Sequence, residues 1–427
     1  MTKCKQLLTD ISQHKYDSVF QKLYGYDKAV ISYQQKRYAG AISRFLSLFN
    51  DDMVEIFSAP GRTEICGNHT DHQHGQVLAA SINLDAIAVV CKNPLPEIEF
   101  ISEGYSPVVI HIDNPDPVPA ETGTTAALIR GVLKGFLNMG YKIGGFKAYV
   151  TSDVLSGSGL SSSAALESII GIILSGLYNN MAVSLIDIAI IGQYAENVYF
   201  GKPCGLMDQI ACSVGDFVHI NFANASEPSI EKIDFDIKKN GYTLCIVDTK
   251  GSHADLTDDY ASIPAEMKQI ANYFGKEYLN EVTFDEFIQN FSHLEQLGNT
   301  RALLRAFHFI TENQRVEKAA RSLQDKNINA FLNVIKQSGD SSYKYLQNVY
   351  TNKDILSQPI PLALALTEDF LQSEGVCRVH GGGFAGTIQV FLPTEMAEEY
   401  KTYIESFLGP NTCHILSIRK VGATKVL

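Results

Sequence analysis

The first fifty residues carry hydrophobic side chains at the three-to-four-residue spacing of amphipathic helices. The recurring apolar positions are Leu7, Leu8, Ile11, Val19, Phe20, Leu23, Ile42, Phe45, Leu46 and Leu48. Such spacing gives each helix one apolar stripe that must be buried against another element. We therefore predict that residues 1–50 form a helical lead-in packed on the first domain.

From residue 51 onward, short runs typical of strands alternate with longer helical stretches. The predicted strands are residues 54–58, 76–80, 86–91, 98–112, 145–151, 217–221, 244–248, 376–380 and 387–392. The predicted helices include residues 124–139, 184–200 and 361–373. Because 427 residues exceed the usual size of one core, we predict two domains, residues 51–225 and 226–427.

The composition is that of a soluble globular protein, with 45% hydrophobic and 19% charged residues. A formal net charge of −12 without Lys/Arg runs argues against a nucleic-acid partner. The longest apolar stretch, residues 169–191, is interrupted by Asn179, Asn180 and Asp187, so we expect two helices and no membrane span. Eight cysteines without a C-x-x-C pair, and an N-terminus without an apolar signal segment, favour a cytoplasmic protein with reduced thiols. No feature indicates an obligate protein partner.

A turn rich in glycine and serine, Leu155-Ser-Gly-Ser-Gly-Leu-Ser-Ser-Ser-Ala-Ala-Leu-Glu167, precedes an apolar helical stretch. A glycine turn that opens a helix presents unpaired backbone N–H groups, which bind phosphate. The candidate phosphate-binding residues are Gly157, Ser158, Gly159, Leu160, Ser161, Ser162 and Ser163. The lysine of a P-loop is missing, and an ordinary helix cap in a Gly/Ser turn is the alternative interpretation.

Polar side chains crowd residues 61–75, between two predicted strands. The segment reads Gly61-Arg-Thr-Glu-Ile-Cys-Gly-Asn-His-Thr-Asp-His-Gln-His-Gly75. A polyhydroxylated ligand needs such a density of donors and acceptors, although a solvated loop with one structural arginine would look similar. The histidines His69, His72 and His74 lack the spacing and the carboxylate partners expected of a metal site.

Two further motifs are weak on their own. In Cys204-Gly-Leu-Met-Asp-Gln209, Asp208 follows the helix breakers Pro203 and Gly205 and could simply cap the next turn. The run Gly381-Gly-Gly-Phe-Ala-Gly386 lies between predicted strands and is equally consistent with a tight hairpin.

Together and in this order, the motifs resemble those of the GHMP small-molecule kinases and, among them, the galactokinases. Residues 59–71 are similar to the signature P-G-R-V-N-L-I-G-E-H-T-D, and residues 157–165 to the phosphate loop G-x-G-L-S-S-S-A. Residues 204–209 are similar to C-G-I-M-D-Q, and residues 381–386 to G-G-G-F-G-G. Weaker similarities lie around Asp248, His253 and Tyr260, and in residues 305–315.

The resemblance implies an α+β fold of two domains, each a mixed or antiparallel sheet packed with helices, with the active site at their interface. It implies an ATP-dependent sugar 1-kinase that forms galactose 1-phosphate and ADP. The implied catalytic residues are Arg62 and Asp208, the implied sugar contacts are Asn68, His69, Asp71 and Tyr260, and the implied Mg²⁺ residues are Ser162 and Glu196. Asp208 beside Arg62 is expected to stay ionised, because the cation favours the carboxylate.

Departures from the family pattern bear on the sugar. Asn68 stands where galactokinases carry Glu, and Glu64 stands where they carry Asn. The family's Glu contacts the C6 hydroxyl, so the neutral Asn68 opens the alternative of another sugar, such as galacturonate or N-acetylgalactosamine. The remaining alternative is a sensor that binds ATP and galactose without turnover. Such sensors lack the alanine pair that Ala164 and Ala165 provide here.

Overall fold

The computed structural model describes residues 1–155, 159–224, 227–251 and 256–427. Its strands are β1 (Thr2–Lys3), β2 (Met53–Cys66), β3 (Gln76–Lys92), β4 (Glu97–Ser102), β5 (Val108–His111), β6 (Phe146–Ser152), β7 (Phe217–Asn221), β8 (Ser229–Ile233), β9 (Tyr242–Asp248), β10 (Val376–His380), β11 (Thr387–Pro393), β12 (Cys413–Leu416) and β13 (Thr424–Lys425). Its α-helices are α1 (Cys4–Ser12), α2 (Asp17–Tyr24), α3 (Lys28–Phe49), α4 (Thr125–Asn138), α5 (Ser162–Asn179), α6 (Leu185–Tyr194), α7 (Met207–Val214), α8 (Thr257–Tyr273), α9 (Phe284–Gln289), α10 (Phe291–Glu295), α11 (Thr300–Gln324), α12 (Ile328–Ser341), α13 (Pro359–Leu371) and α14 (Ala397–Leu408).

Within these ranges, nine strands form the first sheet, whose main order is β1-β2-β3-β6-β4-β5. Strand β7 pairs with β3 and β8, and the C-terminal β13 pairs with β2. The long strands β2 and β3 are almost continuously buried. Strands read as nearly unbroken apolar runs when both faces of the sheet are covered.

Helices cover both faces of β2 and β3. Ile56 and Ile87 pack in the apolar cluster formed with α1–α3. Their neighbours Phe57 and Ala88 pack in the cluster formed with α4–α6. Because successive side chains of a strand point to opposite faces, the same two strands contribute to both cores.

Asp85 of β3 ties the N-terminal helices and the C-terminal segment to this sheet. Its buried carboxylate accepts hydrogen bonds from Arg37, Tyr24 and Arg419, each at 2.6 Å. Burial alone raises the pKa of Asp85, but the two guanidinium groups outweigh it and hold the pKa below its ordinary value. Nothing in the local sequence pattern predicts this anchor.

The second sheet has the order β10-β11-β9-β12 and is antiparallel throughout. Helices α13 and α14 pack on one of its faces. On the other face, Leu244 and Phe391 share a cluster with α11, α12 and with Ile65 and Leu78 of the first sheet. This shared core brings the ends of β2 and β10 close together.

The α+β architecture predicted from the sequence is confirmed, with differences at element boundaries. The two strands predicted at residues 76–80 and 86–91 are one strand, β3. Strand β2 continues to Cys66, so Arg62 and Glu64 lie on a strand. Strand β8 pairs with β7 and belongs to the first sheet. Among the helices of the described ranges, none has the length and apolar character needed to cross a membrane.

Candidate active site

Arg62 and Asp208 form a partly buried ion pair at the centre of the candidate site. The pairing of β2 with β3 shifts register between Pro60 and Arg62, and such irregularities re-aim strand side chains. Asp208 lies in the first turn of α7. Nε and Nη2 of Arg62 donate to Oδ1 and Oδ2 of Asp208, each at 2.6 Å. This bidentate geometry is the strong, orientationally specific form of an ion pair.

The pair keeps both groups charged. Burial alone raises the pKa of Asp208, but Arg62 and the Ser161 hydroxyl outweigh it, so the pKa lies below its ordinary value. Burial lowers the pKa of Arg62, but Asp208 outweighs it in turn, and the net shift is upward. Asp208 is therefore ionised at neutral pH, as expected from the sequence.

The end of the predicted phosphate loop lies directly against this pair, whereas Gly157 and Ser158 fall outside the described residues. The carbonyl oxygens of Gly159 and Leu160 accept from Nη1 and the backbone N–H of Arg62, the latter at 3.1 Å. Gly159 and Ser161 both have positive φ, +71° and +57°, which explains the glycine at the first position.

Helix α5 begins at Ser162 immediately after this loop. The Ser161 hydroxyl donates to Asp208 Oδ2, and in the described part of the chain no side chain caps the helix. Its first-turn N–H groups and positive dipole end are thus available to an anion. Among the serines of this turn that the structure describes, none acts as the ordinary helix cap.

Glu196 lies 1% exposed on a π-helical turn, Ala195–Phe200, that follows α6. Its Oε1 accepts from the Ser163 hydroxyl at 3.0 Å and from the Lys202 ammonium at 3.1 Å. The hydroxyl that reaches Glu196 therefore belongs to Ser163, one residue after the predicted Ser162. Single π-helical turns are frequent at functional sites.

Behind Glu196 lies a second buried carboxyl group that the sequence did not reveal. Nε2 of Gln209 donates to Glu167 Oε2 at 3.0 Å and to Glu196 Oε2 at 2.8 Å. Burial, together with the nearby Glu196, raises the pKa of Glu167 well above its ordinary value. Glu167 is thus a much weaker acid than an exposed Glu, and the amide of Gln209 joins the two carboxyl groups.

The loop after β2 brings Asp71 against Gly205 and His69 against the turn at residues 381–386. A Cβ atom at Gly205 would lie 2.3 Å from Asp71 Oδ2, so the Asp71 carboxylate lies directly against the segment before Asp208. His69 has a φ of +58°, and its Nε2–H donates to the Gly382 carbonyl at 2.9 Å. Burial, then His72, lowers the pKa of His69 to about 4, so the ring is neutral at pH 7.

The glycine-rich turn at residues 381–386 faces this loop with carbonyl groups. The Gly381 and Gly382 carbonyls accept from Asn68 Nδ2 at 2.6 Å and from His69. The Gly383 carbonyl accepts from the Tyr260 hydroxyl at 2.9 Å. Because these carbonyl oxygens are acceptors already engaged by side chains, this turn is poorly suited to bind phosphate, in contrast with the start of α5.

Asn68 is fully buried and its amide is saturated by protein groups. Besides the Gly381 carbonyl, Nδ2 donates to Glu64 Oε1 at 3.0 Å. Oδ1 accepts from Asn348 Nδ2 at 2.6 Å. The Glu64 carboxylate determines the orientation of the amide, because only the NH₂ group can face it. The N–H donors of Asn68, which the sequence assigned to a sugar, are thus engaged by other groups of the protein.

Glu64 is the buried partner of Asn68. The two positions at which this chain exchanges the Asn and Glu of the family pattern are therefore in direct contact in the fold. Arg378 Nη2 donates to Glu64 Oε1 at 3.2 Å. Burial raises the pKa of Glu64 to about 7, although Arg378 and Arg62 oppose the shift. A carboxyl group that is about half ionised at pH 7 therefore lies beside position 68, one side chain away.

Helix α11 supports the same loop from the second half of the chain. His308 Nε2–H donates to the Asn68 carbonyl at 2.9 Å, and Gly67 N–H donates to Glu312 Oε1 at 3.1 Å. Arg315 pairs with Glu312 at 2.5 Å. The weak family similarity in residues 305–315 thus corresponds to residues that hold the loop in place.

Sequence reasoning missed three buried polar residues that join the second half of the chain to β2 and its loop. Arg378 Nη1 donates to the Ile65 carbonyl at 2.7 Å, and Gln389 Nε2 donates to the Glu64 carbonyl at 2.8 Å. The third, Asn348, holds Asn68 as described. A polar residue inside an apolar strand is the available signal for the first two, since polar groups enter a core only with partners.

Two profiles of known families match the chain at these elements. Residues 43–92 match the galactokinase galactose-binding signature, and residues 127–216 match the GHMP kinases N terminal domain. The first range contains Arg62 and the loop of His69. The second contains the start of α5 and Asp208.

Relatives match over most of their length. The chain is 31% identical over 372 residues to a galactokinase of Actinobacillus pleuropneumoniae serotype 3, which covers 85% of the chain and 92% of that protein. It is 28% identical over 357 residues to a galactokinase of Streptomyces coelicolor, 83% of the chain and 89% of that protein. The crystal structure of Lactococcus lactis galactokinase complexed with galactose matches with a TM-score of 0.77 at 23% identity, covering 91% of the chain and all of that one. The Methanococcus jannaschii mevalonate kinase matches with a TM-score of 0.59 at 16% identity, covering 86% of the chain and 98% of that one.

The chain shares the fold of these kinase structures, and its residues 127–216 match the N-terminal domain of the GHMP kinases, a class of small-molecule kinases. Within that class, the first relative identifies the family, because it is 31% identical to the chain and is matched over 92% of its own length. The chain belongs to the galactokinase family and is a sugar kinase. Both were predicted from the sequence and are confirmed.

Proposed function

We propose that the chain transfers the γ-phosphoryl group of ATP to the C1 hydroxyl of galactose. The observation that carries the proposal is the Arg62–Asp208 ion pair beside the uncapped start of α5. There a carboxylate able to take a proton adjoins a helix end that favours a phosphate. Residues 157–163 would bind the ATP phosphates, and His69, Asp71 and Tyr260 would contact the sugar.

The carboxylate of Asp208 has one oxygen suited to the sugar hydroxyl. Oδ2 accepts from both Arg62 and Ser161, whereas Oδ1 accepts from Arg62 alone among the described residues. A carboxylate oxygen accepts about two hydrogen bonds, so Oδ1 can receive the C1 hydroxyl. As the C1 oxygen attacks the γ-phosphorus, its proton passes to Asp208 and the bond to ADP breaks. Arg62 offsets negative charge on the transferring group.

The residues around Glu196 suit Mg²⁺ as the companion of ATP. The donors there are the Glu196 carboxylate and the hydroxyl of Ser163, with Ser162 next to it in the first turn of α5. Hard oxygen ligands of this kind are those that Mg²⁺ prefers. Glu196 already attracts a cation, the Lys202 ammonium. A bound Mg²⁺ would neutralise phosphate charge during transfer.

Galactose is favoured over galacturonate by the neighbour of Asn68. The neutral amide at position 68 does not remove all negative charge here, because the Glu64 carboxyl group lies 3.0 Å from Asn68 Nδ2. With a pKa of about 7, this group is about half ionised at pH 7 and more so above it. A C6 carboxylate brought near this pair would meet like charge in a partly desolvated site. Compared with the family pattern, the carboxyl group has moved from position 68 to the neighbouring side chain at position 64, and the preference for a neutral C6 group remains.

A coupled assay of ADP release over galactose, 6-deoxygalactose, galacturonate and N-acetylgalactosamine tests the proposal. We expect the highest kcat/KM with galactose and a value at least about tenfold lower with galacturonate. A preference for galacturonate would contradict the assignment of the sugar. ADP release with none of the four would contradict the proposed reaction.

We also propose a cytoplasmic location. All eight cysteines are free thiols in the structure, and seven of them are buried. Unpaired thiols are the rule in reducing compartments. Co-fractionation with a cytoplasmic marker is the expected result, and recovery with secreted proteins would contradict it.

A further inference from the structure

Lys202 reaches from the surface into the cluster around Glu196. The residue follows the π-helical turn, and its backbone N–H donates to the Glu196 carbonyl at 3.2 Å. Its side chain is 62% exposed, yet its ammonium lies 3.1 Å from Glu196 Oε1, on a side chain that is 2% exposed. The lysine therefore lies over the mouth of the cluster with its charge pointing inward.

The position of this ammonium is unfavourable unless an anion is nearby. Glu196 Oε1 also accepts from Ser163, a residue of the first turn of α5. The ammonium thus lies beside the positive end of that helix, where the dipole repels a cation and attracts an anion. The Glu196 carboxylate is its ion-pair partner among the described residues, and that carboxylate is shared with Ser163 and Gln209.

We propose that Lys202 is the protein's own cation for the nucleotide phosphates, with Glu196 as its counter-ion while no nucleotide is bound. The proposal rests on the proposed binding of ATP at the start of α5. Lysine suits the role, because its flexible four-carbon stem lets one charge serve two neighbouring anions. The ammonium and the N–H groups of α5 would then converge on the same phosphate, and Lys202 would carry the binding of nucleotide in the absence of metal.

Calorimetric titration of ATP into purified protein tests this in two conditions, excess EDTA and excess Mg²⁺. The variants are Lys202→Met, which keeps the length of the side chain, and Lys202→Arg, which keeps the charge. Lys15→Met is the matched control, since Lys15 is 55% exposed and pairs with Asp10 at 2.6 Å in the N-terminal helices.

We expect Lys202→Met to weaken the Kd of metal-free ATP by at least tenfold, the size of one lost hydrogen bond to a charged group. In Mg²⁺ the loss should be several-fold smaller, Lys202→Arg should bind within a few-fold of wild type, and Lys15→Met should be unchanged. Equal affinity of Lys202→Met and wild type in EDTA would overturn the proposal.

Two further measurements distinguish a nucleotide contact from a product contact and from a purely structural ion pair. A loss confined to titrations with galactose 1-phosphate would overturn the proposal by moving the contact from the nucleotide to the product. If the unliganded Lys202→Met variant melts at a lower temperature, and this loss of stability is large enough to account for its weaker binding of ATP, the proposal would be overturned in favour of a structural ion pair. If wild type itself binds no ATP in Mg²⁺, the proposed nucleotide site is wrong, whatever the variants do.

Discussion

The exchanged pair Glu64 and Asn68 predicts that the Glu typical of the family cannot be restored at position 68 alone. Asn68→Glu would remove the NH₂ group that donates to Glu64 and to the Gly381 carbonyl. It would set a second carboxylate near the first, since Glu64 Oε1 lies 3.0 Å from Asn68 Nδ2. Two full charges at about 4 Å repel by about 4 kcal/mol at an effective dielectric of about 20.

Protonation of Glu64 limits this cost and makes it depend on pH. Burial raises the pKa of Glu64 to about 7 in the wild type, so this group stabilises the fold fully at low pH. That contribution is lost as pH rises from the unfolded pKa through about 7, and above that it stays constant. In Asn68→Glu the added charge raises the pKa of Glu64 further, so the loss continues above pH 7. Between pH 7 and 8.5 it amounts to about 2 kcal/mol, at about 1.36 kcal/mol per pH unit.

Thermal melting detects a change of this size. An unfolding entropy of about 2.1 cal/mol/K per residue, over 427 residues, converts about 2 kcal/mol into about 2 °C. Between pH 7 and 8.5 we expect the Tm of Asn68→Glu to fall about 2 °C more than that of wild type. The double variant Glu64→Asn/Asn68→Glu has one carboxylate and one amide again, so its Tm should follow wild type, and its kcat/KM for galactose should exceed that of Asn68→Glu.

Two results would refute this reasoning. If wild type and Asn68→Glu show the same dependence of Tm on pH, the new carboxylate does not meet Glu64. If the double variant is as unstable as Asn68→Glu, the two positions do not act as a pair.

The catalytic and metal-side residues lead to two further predictions. Asp208→Asn should lower kcat by roughly 10²- to 10⁴-fold, the usual effect of a positioned acid or base, while calorimetry still detects ATP binding; near-normal kcat in the pure variant would exclude Asp208 from the chemical step. Glu196→Gln should raise the Mg²⁺ concentration for half-maximal rate by at least about tenfold, because a neutral amide is a weaker ligand than a carboxylate. The control Glu398→Gln, on the exposed side of α14, should leave this concentration unchanged. If the two variants depend equally on Mg²⁺, Glu196 is not a metal-side residue.

The sequence alone determined the features that depend on neighbours along the chain. Periodic apolar positions predicted the N-terminal helices, most strands and α13. The residues that face a core recur every three to four positions in a helix and every two positions in a strand. The loop before α5 was predictable for the same reason: Gly159 has a positive φ, which glycine adopts more readily than any other residue. Joint occurrence of the motifs, matched later by the relatives, then indicated the kinase family.

Only the tertiary structure decided which side chains meet across the two sheets. The sequence predicted that Asn68 faces a sugar, whereas its partners in the fold come from Asn348 and Gly381, about 280 and 313 residues away. The Arg62–Asp208 pair spans 146 residues in the same way. Hydrogen bonds of this kind are set by how β2, α11 and the second sheet pack. A buried polar group must find its partner wherever packing brings one, and no local pattern records where that is.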